Sequence, residues 1–197
     1  MQRSQQWLKG IVLLAVALGW VSSAHGSTFV RAGLDKLVAD NESIVVAEVL
    51  GAESYWNQGG TLMLTDVRLA VSEVLKGDAS KKSGDELTVT LLGGTIGDLS
   101  TVIVGGANLE PQSSYVLFVN REDLPGAPAV ETVRDHSQGA FELVEEQGEM
   151  KAVSQAKDHG LYPDAQGKTE VPFGPEGVGL DELKQAIQDQ VKAQEVK

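Results

Sequence analysis

The stretch from Thr61 to Val119 constrains this chain most. It holds three apolar-rich runs, Leu62 to Leu75, Leu87 to Leu92 and Tyr115 to Val119. Between them lie Lys76-Gly77-Asp78, Gly93-Gly94-Thr95-Ile96-Gly97 and Glu110-Pro111-Gln112-Ser113-Ser114, all turn-forming in composition. Within the first run Val67, Leu69 and Val71 alternate with Arg68, Ala70 and Ser72, and then parity breaks because Val74 is apolar where Glu73 should be. A slip of one residue turns every later side chain to the other face. A β-bulge near Ser72-Glu73 repairs it and bends the strand. Thr61 to Leu75 laid straight at about 3.3 Å per residue would span roughly 50 Å, too long for a domain of this size. Bending is expected on both grounds. The glycines at 93, 94 and 97 supply further corners, so the segment reads as a curled antiparallel sheet closing into a barrel.

Other elements follow from periodicity. Leu34, Leu37 and Val38 fall at helical spacing, predicting a short amphipathic helix over 32–40 that stops at Asp40-Asn41. Ile44 to Leu50 is apolar on both faces except at Glu48, as in a strand covered on both sides. Glu48 there either finds a partner or points outward at an edge. Tyr55 and Trp56 flank Asn57-Gln58-Gly59-Gly60, a hairpin turn by composition. Leu99 to Val104 reads as a strand ended by Gly105-Gly106, and Tyr115 to Val119 as a central strand. Val130 to Val133 and Phe141 to Val144 read as a hairpin around Asp135 to Gly139, with Met150 to Val153 a weak edge. The pattern fades over 154–179, which reads as an extended loop. Leu180, Leu183, Ile187 and Val191 then make one helical stripe over 180–195, with Asp181 and Glu182 at its start and Lys192 near its end, as the helix dipole prefers.

Residues 1–26 read as a secretory leader. Arg3 and Lys9 precede the uncharged run Ile11 to Val21, and Ala24-His25-Gly26 sets small residues at a cleavage site. The run is short of the ~20 residues a membrane span needs; an uncleaved anchor is the competing reading. Export, to a bacterial periplasm or the exterior, is the expectation, with the β-barrel domain over 27–153. The formal charge is −12, and the leader carries two basic residues and no acidic one, so its loss makes the rest two units more negative. Such a surface repels nucleic acid and anionic lipid headgroups. The chain has no cysteine, which excludes disulfides, thiol nucleophiles and Cys-ligated zinc.

Recognisable chemistry is missing. Asp135-His136-Ser137 contains the residue types of a hydrolase triad, but a triad is assembled from separate segments. There is no His-Glu-x-x-His. Gly93-Gly94-Thr95-Ile96-Gly97 lacks the Lys-Ser/Thr of a phosphate loop, and Glu145, Glu146 and Glu149 lack the spacing of a calcium loop. Neither a metal nor a cofactor is expected. The residues singled out as candidate binding groups are Tyr55 and Trp56 on the hairpin, Thr95 and Asp98 in the glycine-rich loop, and His136.

Several blocks together resemble a family. They are Leu34-Asp35-Lys36-Leu37-Val38-Ala39, Ile44 to Val49, Val71-Ser72-Glu73-Val74-Leu75-Lys76-Gly77, Gly93 to Asp98, Tyr115 to Val119 and Leu180-Asp181-Glu182-Leu183. They resemble an exported bacterial domain of uncharacterised function that sometimes accompanies matrixin-like zinc peptidases. The order of elements, with the spacing Leu109 to Tyr115-Val116-Leu117-Phe118, is also similar to netrin-like modules, the group of the tissue inhibitors of metalloproteinases. That resemblance implies an OB-like barrel. It carries over no mechanism, because those inhibitors chelate zinc through an N-terminal cysteine. The expectation is therefore a mostly β, OB-like antiparallel β-barrel with a short N-terminal helix and a docked C-terminal helix. Its expected role is a non-enzymatic exported binding or accessory module. The alternatives are an inhibitor or chaperone of a secreted metallopeptidase, and a hydrolase using His136 or His159.

Overall fold

The computed structural model describes residues 29–77 and 84–195; the expected leader and most of the Lys76 to Asp85 loop lie outside them. The fold is mostly β, with two helices. In chain order the elements are β1 (Phe29–Val30), α1 (Leu34–Asp40), β2 (Ser43–Trp56), β3 (Met63–Lys76), β4 (Glu86–Leu92), β5 (Gly94–Ile96), β6 (Leu99–Thr101), β7 (Ser114–Leu124), β8 (Ala127–Val133), β9 (Ala140–Glu146), β10 (Glu149–Ser154), β11 (Leu161–Tyr162), β12 (Val178–Gly179) and α2 (Leu180–Glu195). The main sheet runs β12-β10-β9-β7-β2-β3-β4, with β8 also on β7.

β2 and β7 sit at the centre for the reason their sequences give: both are apolar on both faces. Val45, Ala47, Val49, Tyr115, Leu117 and Val119 point to an inner core completed by β3 and β4. Ile44, Val46, Val116 and Phe118 point to an outer core beneath the helices. α2 docks there through Leu183 and Ile187, both fully buried. Each such side chain contributes roughly 1.5–3 kcal/mol by leaving water. Asn41 ends α1: it is buried, and its Nδ2 donates to the Leu37 carbonyl at 2.8 Å.

The expected bulge is present. Val46 pairs with Glu73 and Ala47 with Val71, leaving Ser72 as the extra residue, and Ser72 Oγ donates to the Val46 carbonyl at 3.0 Å. A second irregularity leaves Leu75 unpaired between Val74 and Lys76. These account for the Val-Leu-Lys-Gly block. Val74 packs on the inner core, whereas Leu75 joins the outer one. Lys76 Nζ donates to the carbonyls of Val38 and, at 2.7 Å, Asn41, at the C-terminal end of α1. Gly77 has φ 121°, and a Cβ there would meet Ser43 Oγ at 2.7 Å. The Leu109-to-Tyr115 spacing has a similar origin: both side chains enter the inner core, and the Tyr115 hydroxyl accepts from the Glu110 N–H at 3.0 Å.

Three expectations need correction. The sheet curls until β8 lies against β4, but no ladder joins them, so the barrel does not close. β8 and β9 are not a hairpin. Both pair with β7 on the edge opposite β2: β8 against Val119–Leu124, β9 against Ser114–Leu117. Between them Asp135 and His136 take left-handed conformations (φ 57° and 56°) and a 3-10 turn, His136–Gly139, steps the chain along that edge. Finally, the strand expected over Leu99 to Val104 pairs only as far as Thr101. The span 154–179 is largely irregular, but it contributes β11, parallel to β1, and β12, on β10. Among the described residues no helix is long and apolar enough to cross a membrane.

Candidate functional site

An excursion of the chain between β4 and β7 dominates one side of the molecule. Gly93 and Gly94 start it. Gly93 N donates to the Met63 carbonyl at 2.8 Å, and the Gly93 carbonyl accepts from Thr65 Oγ1 at 2.7 Å. Gly94 has φ 136°, and a Cβ there would lie 2.1 Å from Thr65 Oγ1 and 2.4 Å from Ser54 Oγ. Only glycine lets the chain approach the β2–β3 hairpin so closely. Ser54 Oγ and Thr65 Oγ1 lie 2.8 Å apart, and Thr95 N donates to Ser54 Oγ at 3.2 Å. The excursion is thereby fixed at its root, and β5 and β6 form a small hairpin beyond it. At its far end Gly105 turns the chain with φ 74°, its carbonyl accepting from Ser137 N at 2.9 Å.

Between these anchors the excursion exposes aliphatic groups: Leu99 at 61 %, Val102 at 84 % and Val104 at 68 %. Ile103, half-buried between the two valines, turns inward. A groove of about 730 Å³ lies under the excursion, floored by Val67, Leu91 and Leu109 and reached by His159. A neighbouring cleft of about 360 Å³ opens where β4 and β8 fail to pair, and Leu91, Leu92, Ile103, Gly106 and Ala107 line both.

The sequence candidates distribute around this surface. Thr95 lines the groove, and its Oγ1 lies 2.9 Å from Ser100 Oγ. Asp98 is exposed at the tip of the β5–β6 hairpin. Trp56 is 45 % exposed at the end of β2. Tyr55 points to the other face of the sheet, where its hydroxyl donates to Asp66 Oδ1 at 3.1 Å; the same oxygen accepts from Thr90 Oγ1 at 2.7 Å. Burial, with the Asp66 carboxylate beside it, raises the Tyr55 pKa. His136 lies beyond the excursion, lining the 360 Å³ cleft and a second one of about 570 Å³, its ring centroid 4.7 Å from that of Phe29. So Thr95 and Asp98 come together on the excursion, Trp56 sits on the adjoining hairpin, and Tyr55 and His136 stand apart.

Asp135, His136 and Ser137 make no triad. Ser137 is buried, and among the described residues neither histidine ring of 136 or 159 has a hydrogen-bond partner. Glu48 is exposed and points outward, but from a strand paired on both sides, with Ala70 and Ser114, and not at an edge. Glu145, Glu146 and Glu149 flank a two-residue turn, Gln147-Gly148, in which both φ values are positive, and Glu146 pairs with Lys151 at 2.5 Å. Among the described residues no cluster suits a metal ion. The sequence reading missed Leu99, Val102 and Val104 as a surface. Their exposure left no signal in the sequence, because an apolar run bounded by glycines reads equally well as a paired strand. No family model, curated protein or solved structure matches the chain.

Proposed function

We propose that this chain is an exported, non-enzymatic binding module that engages a protein partner through the excursion between β4 and β7. One observation carries the reading: Leu99, Val102 and Val104 stand 61 %, 84 % and 68 % exposed on a single short segment. Apolar groups scattered singly over a surface need no explanation, but Val102 and Val104 lie two residues apart and both line the groove, and exposed apolar surface gathered at a groove marks an interaction site. The segment is held from both ends by glycine-dependent contacts, so its exposure is built in and not a fraying end. The leader at 1–26 and the lack of cysteine support export to the bacterial periplasm or beyond.

The strand order supports an OB-like arrangement. Taken as β4-β3-β2-β7-β8, with β8 returning alongside β4, it has the connectivity of a five-stranded Greek-key barrel left open at one seam. That connectivity also favours the second reading, inhibition or chaperoning of a secreted metallopeptidase, because netrin-like modules share it. Such an inhibitor would act through the excursion, since the chain has no cysteine to chelate zinc. A hydrolase on His136 or His159 has no geometric observation in its favour.

The test is affinity capture from the exported fraction of the producing cell. The leaderless chain is compared with a Val102→Glu/Val104→Glu variant, both checked for the same melting temperature. A partner retained by the first and lost by the second is expected. Identical captures on both, or none on either, would sink the proposal.

A further inference from the structure

Leu99, Val102 and Val104 say that a partner docks here; the main chain beneath them says how. Thr101 closes the β5–β6 ladder opposite Gly94. Beyond it Val102, Ile103 and Val104 are exposed, half-buried and exposed, the alternation of an extended chain, and Val104 and Gly105 then turn. Among the described residues only one main-chain group of this segment has a partner: the Ile103 carbonyl, which accepts from Gly106 N at 3.0 Å. In an extended chain a residue's N–H and C=O point to the same edge, and residues i and i+2 share that edge. Val102 thus presents a donor and an acceptor outward, and Val104, at the start of the turn that Gly106 N closes, adds its N–H, with no strand alongside among the described residues. Natural sheets blunt such edges with charge, proline or a covering element. This one carries valines, and no described strand or helix covers it.

Charge selects the occupant. From Ser83 to Asn120 the chain has no lysine, arginine or histidine, while Asp85, Glu86, Asp98 and Glu110 are acidic. Asp98 and Glu110, on the two flanks of the segment, are both exposed. Two exposed carboxylates do not make a site by themselves, but their charge decides which strand is tolerated at the edge. An acidic strand would be repelled, and a second copy of this chain would bring the same charges.

Resting on the binding-module reading above, we infer that the Val102–Val104 edge recognises its partner by strand addition, taking an extended segment of a protein in which lysine or arginine alternates with aliphatic residues. Main-chain hydrogen bonds supply affinity; the exposed valines and the acidic flanks supply selectivity.

The experiment uses three blocked hexapeptides: one alternating lysine and valine, one alternating glutamate and valine, and the Lys/Val peptide N-methylated at every second amide. Binding to the leaderless chain is followed by amide chemical shifts. The Lys/Val peptide is expected to perturb the amides of Val102 to Val104 and to weaken as salt rises. Losing the methylated donors should weaken it by about tenfold or more, as should reversing the charge. Because the decisive change is on the peptide, a misfolded variant cannot confuse the reading. Equal binding of the methylated peptide, shifts centred on β4, β8 or β10, or no binding at all would overturn strand addition. A capture that still depends on Val102 and Val104 would then leave the binding surface standing, whereas a capture indifferent to them removes both.

Discussion

Gln138 Oε1 accepts the main-chain N–H of Ala32 at 2.8 Å, tying the 3-10 turn after β8 to the segment that leads into α1. Its Nε2 donates to the Val30 carbonyl at 3.1 Å, so one buried amide serves both sides of the entering chain. Gln138→Leu fills the same space but leaves the Ala32 N–H, in a residue 2 % exposed, without a partner. A buried donor left unmade costs roughly 1–3 kcal/mol. Urea denaturation should show that loss as a lower midpoint with an unchanged slope. A midpoint equal to that of the unsubstituted chain would mean that the entering segment contributes nothing to global stability.

The same segment has an acid-sensitive fastening. Arg31 Nη1 meets Asp164 Oδ2 at 2.5 Å, with the two side chains only 12 % and 11 % exposed. The Asp164 carboxylate also accepts from the N–H groups of Lys168 and Gln166, both at 2.9 Å. Those main-chain donors, Lys168 first, and the Arg31 guanidinium hold its pKa below the ordinary 3.8. A carboxylate held low stabilises the fold above its unfolded value and loses that contribution as pH falls through its folded one. Thermal melts between pH 5 and pH 2 should therefore fall more steeply for the natural chain than for Asp164→Asn. Parallel curves would count against the pairing.

What was legible in the sequence was whatever depends on a local pattern. Both-face burial marks β2 and β7 because a central strand covered on two sides has no polar alternation to show. The parity break at Ser72-Glu73 marks the bulge because the period of two is strict. The stripe from Leu180 to Val191 marks α2. The β8–β9 relation was not legible, because two adjacent strands around a polar turn look the same whether they pair with each other or take successive places along a third. What decides it is that β7 runs on to Leu124, beyond the reach of β9, and that Asp135 and His136 adopt left-handed conformations, which residues other than glycine rarely signal. The exposed valines were hidden for a related reason: an apolar run says that a strand is favourable, not whether a partner strand exists beside it.

Gly94 and Gly97 separate two uses of glycine within one loop. Both have positive φ, 136° and 60°. At Gly97 a Cβ would meet nothing within 4 Å, so Gly97→Ala carries only the left-handed penalty of roughly 1–2 kcal/mol. At Gly94 the Cβ would collide with the hydroxyls of Ser54 and Thr65, which also anchor the excursion. Gly94→Ala should be the more destabilising of the pair, and it should speed amide exchange along the excursion while Gly97→Ala leaves that exchange unchanged. Equal effects at the two positions would show that the close approach at Gly94 is dispensable.

Tyr115 joins the inner core to the far end of the excursion. Its side chain is fully buried, and its hydroxyl accepts from the Glu110 N–H at 3.0 Å. Tyr115→Phe keeps the ring and removes the acceptor, a loss of roughly 0.5–1.5 kcal/mol. The main-chain bonds Val49 N to Ser113 O and Gln112 N to Val49 O, both 2.9 Å, hold the chain nearby, so the damage should stay local. Amide exchange should quicken at Glu110 and leave β2 unaffected. Burial raises the Tyr115 pKa above the ordinary 10.0, because the phenolate would lose its hydration. The neutral phenol is therefore favoured in the fold: its contribution is complete below pH 10 and is lost as pH rises from there through the folded value. The Phe variant lacks this loss. Its stability deficit relative to the natural chain should shrink above pH 10, and a deficit that stays constant to pH 11 would place the hydroxyl in contact with water.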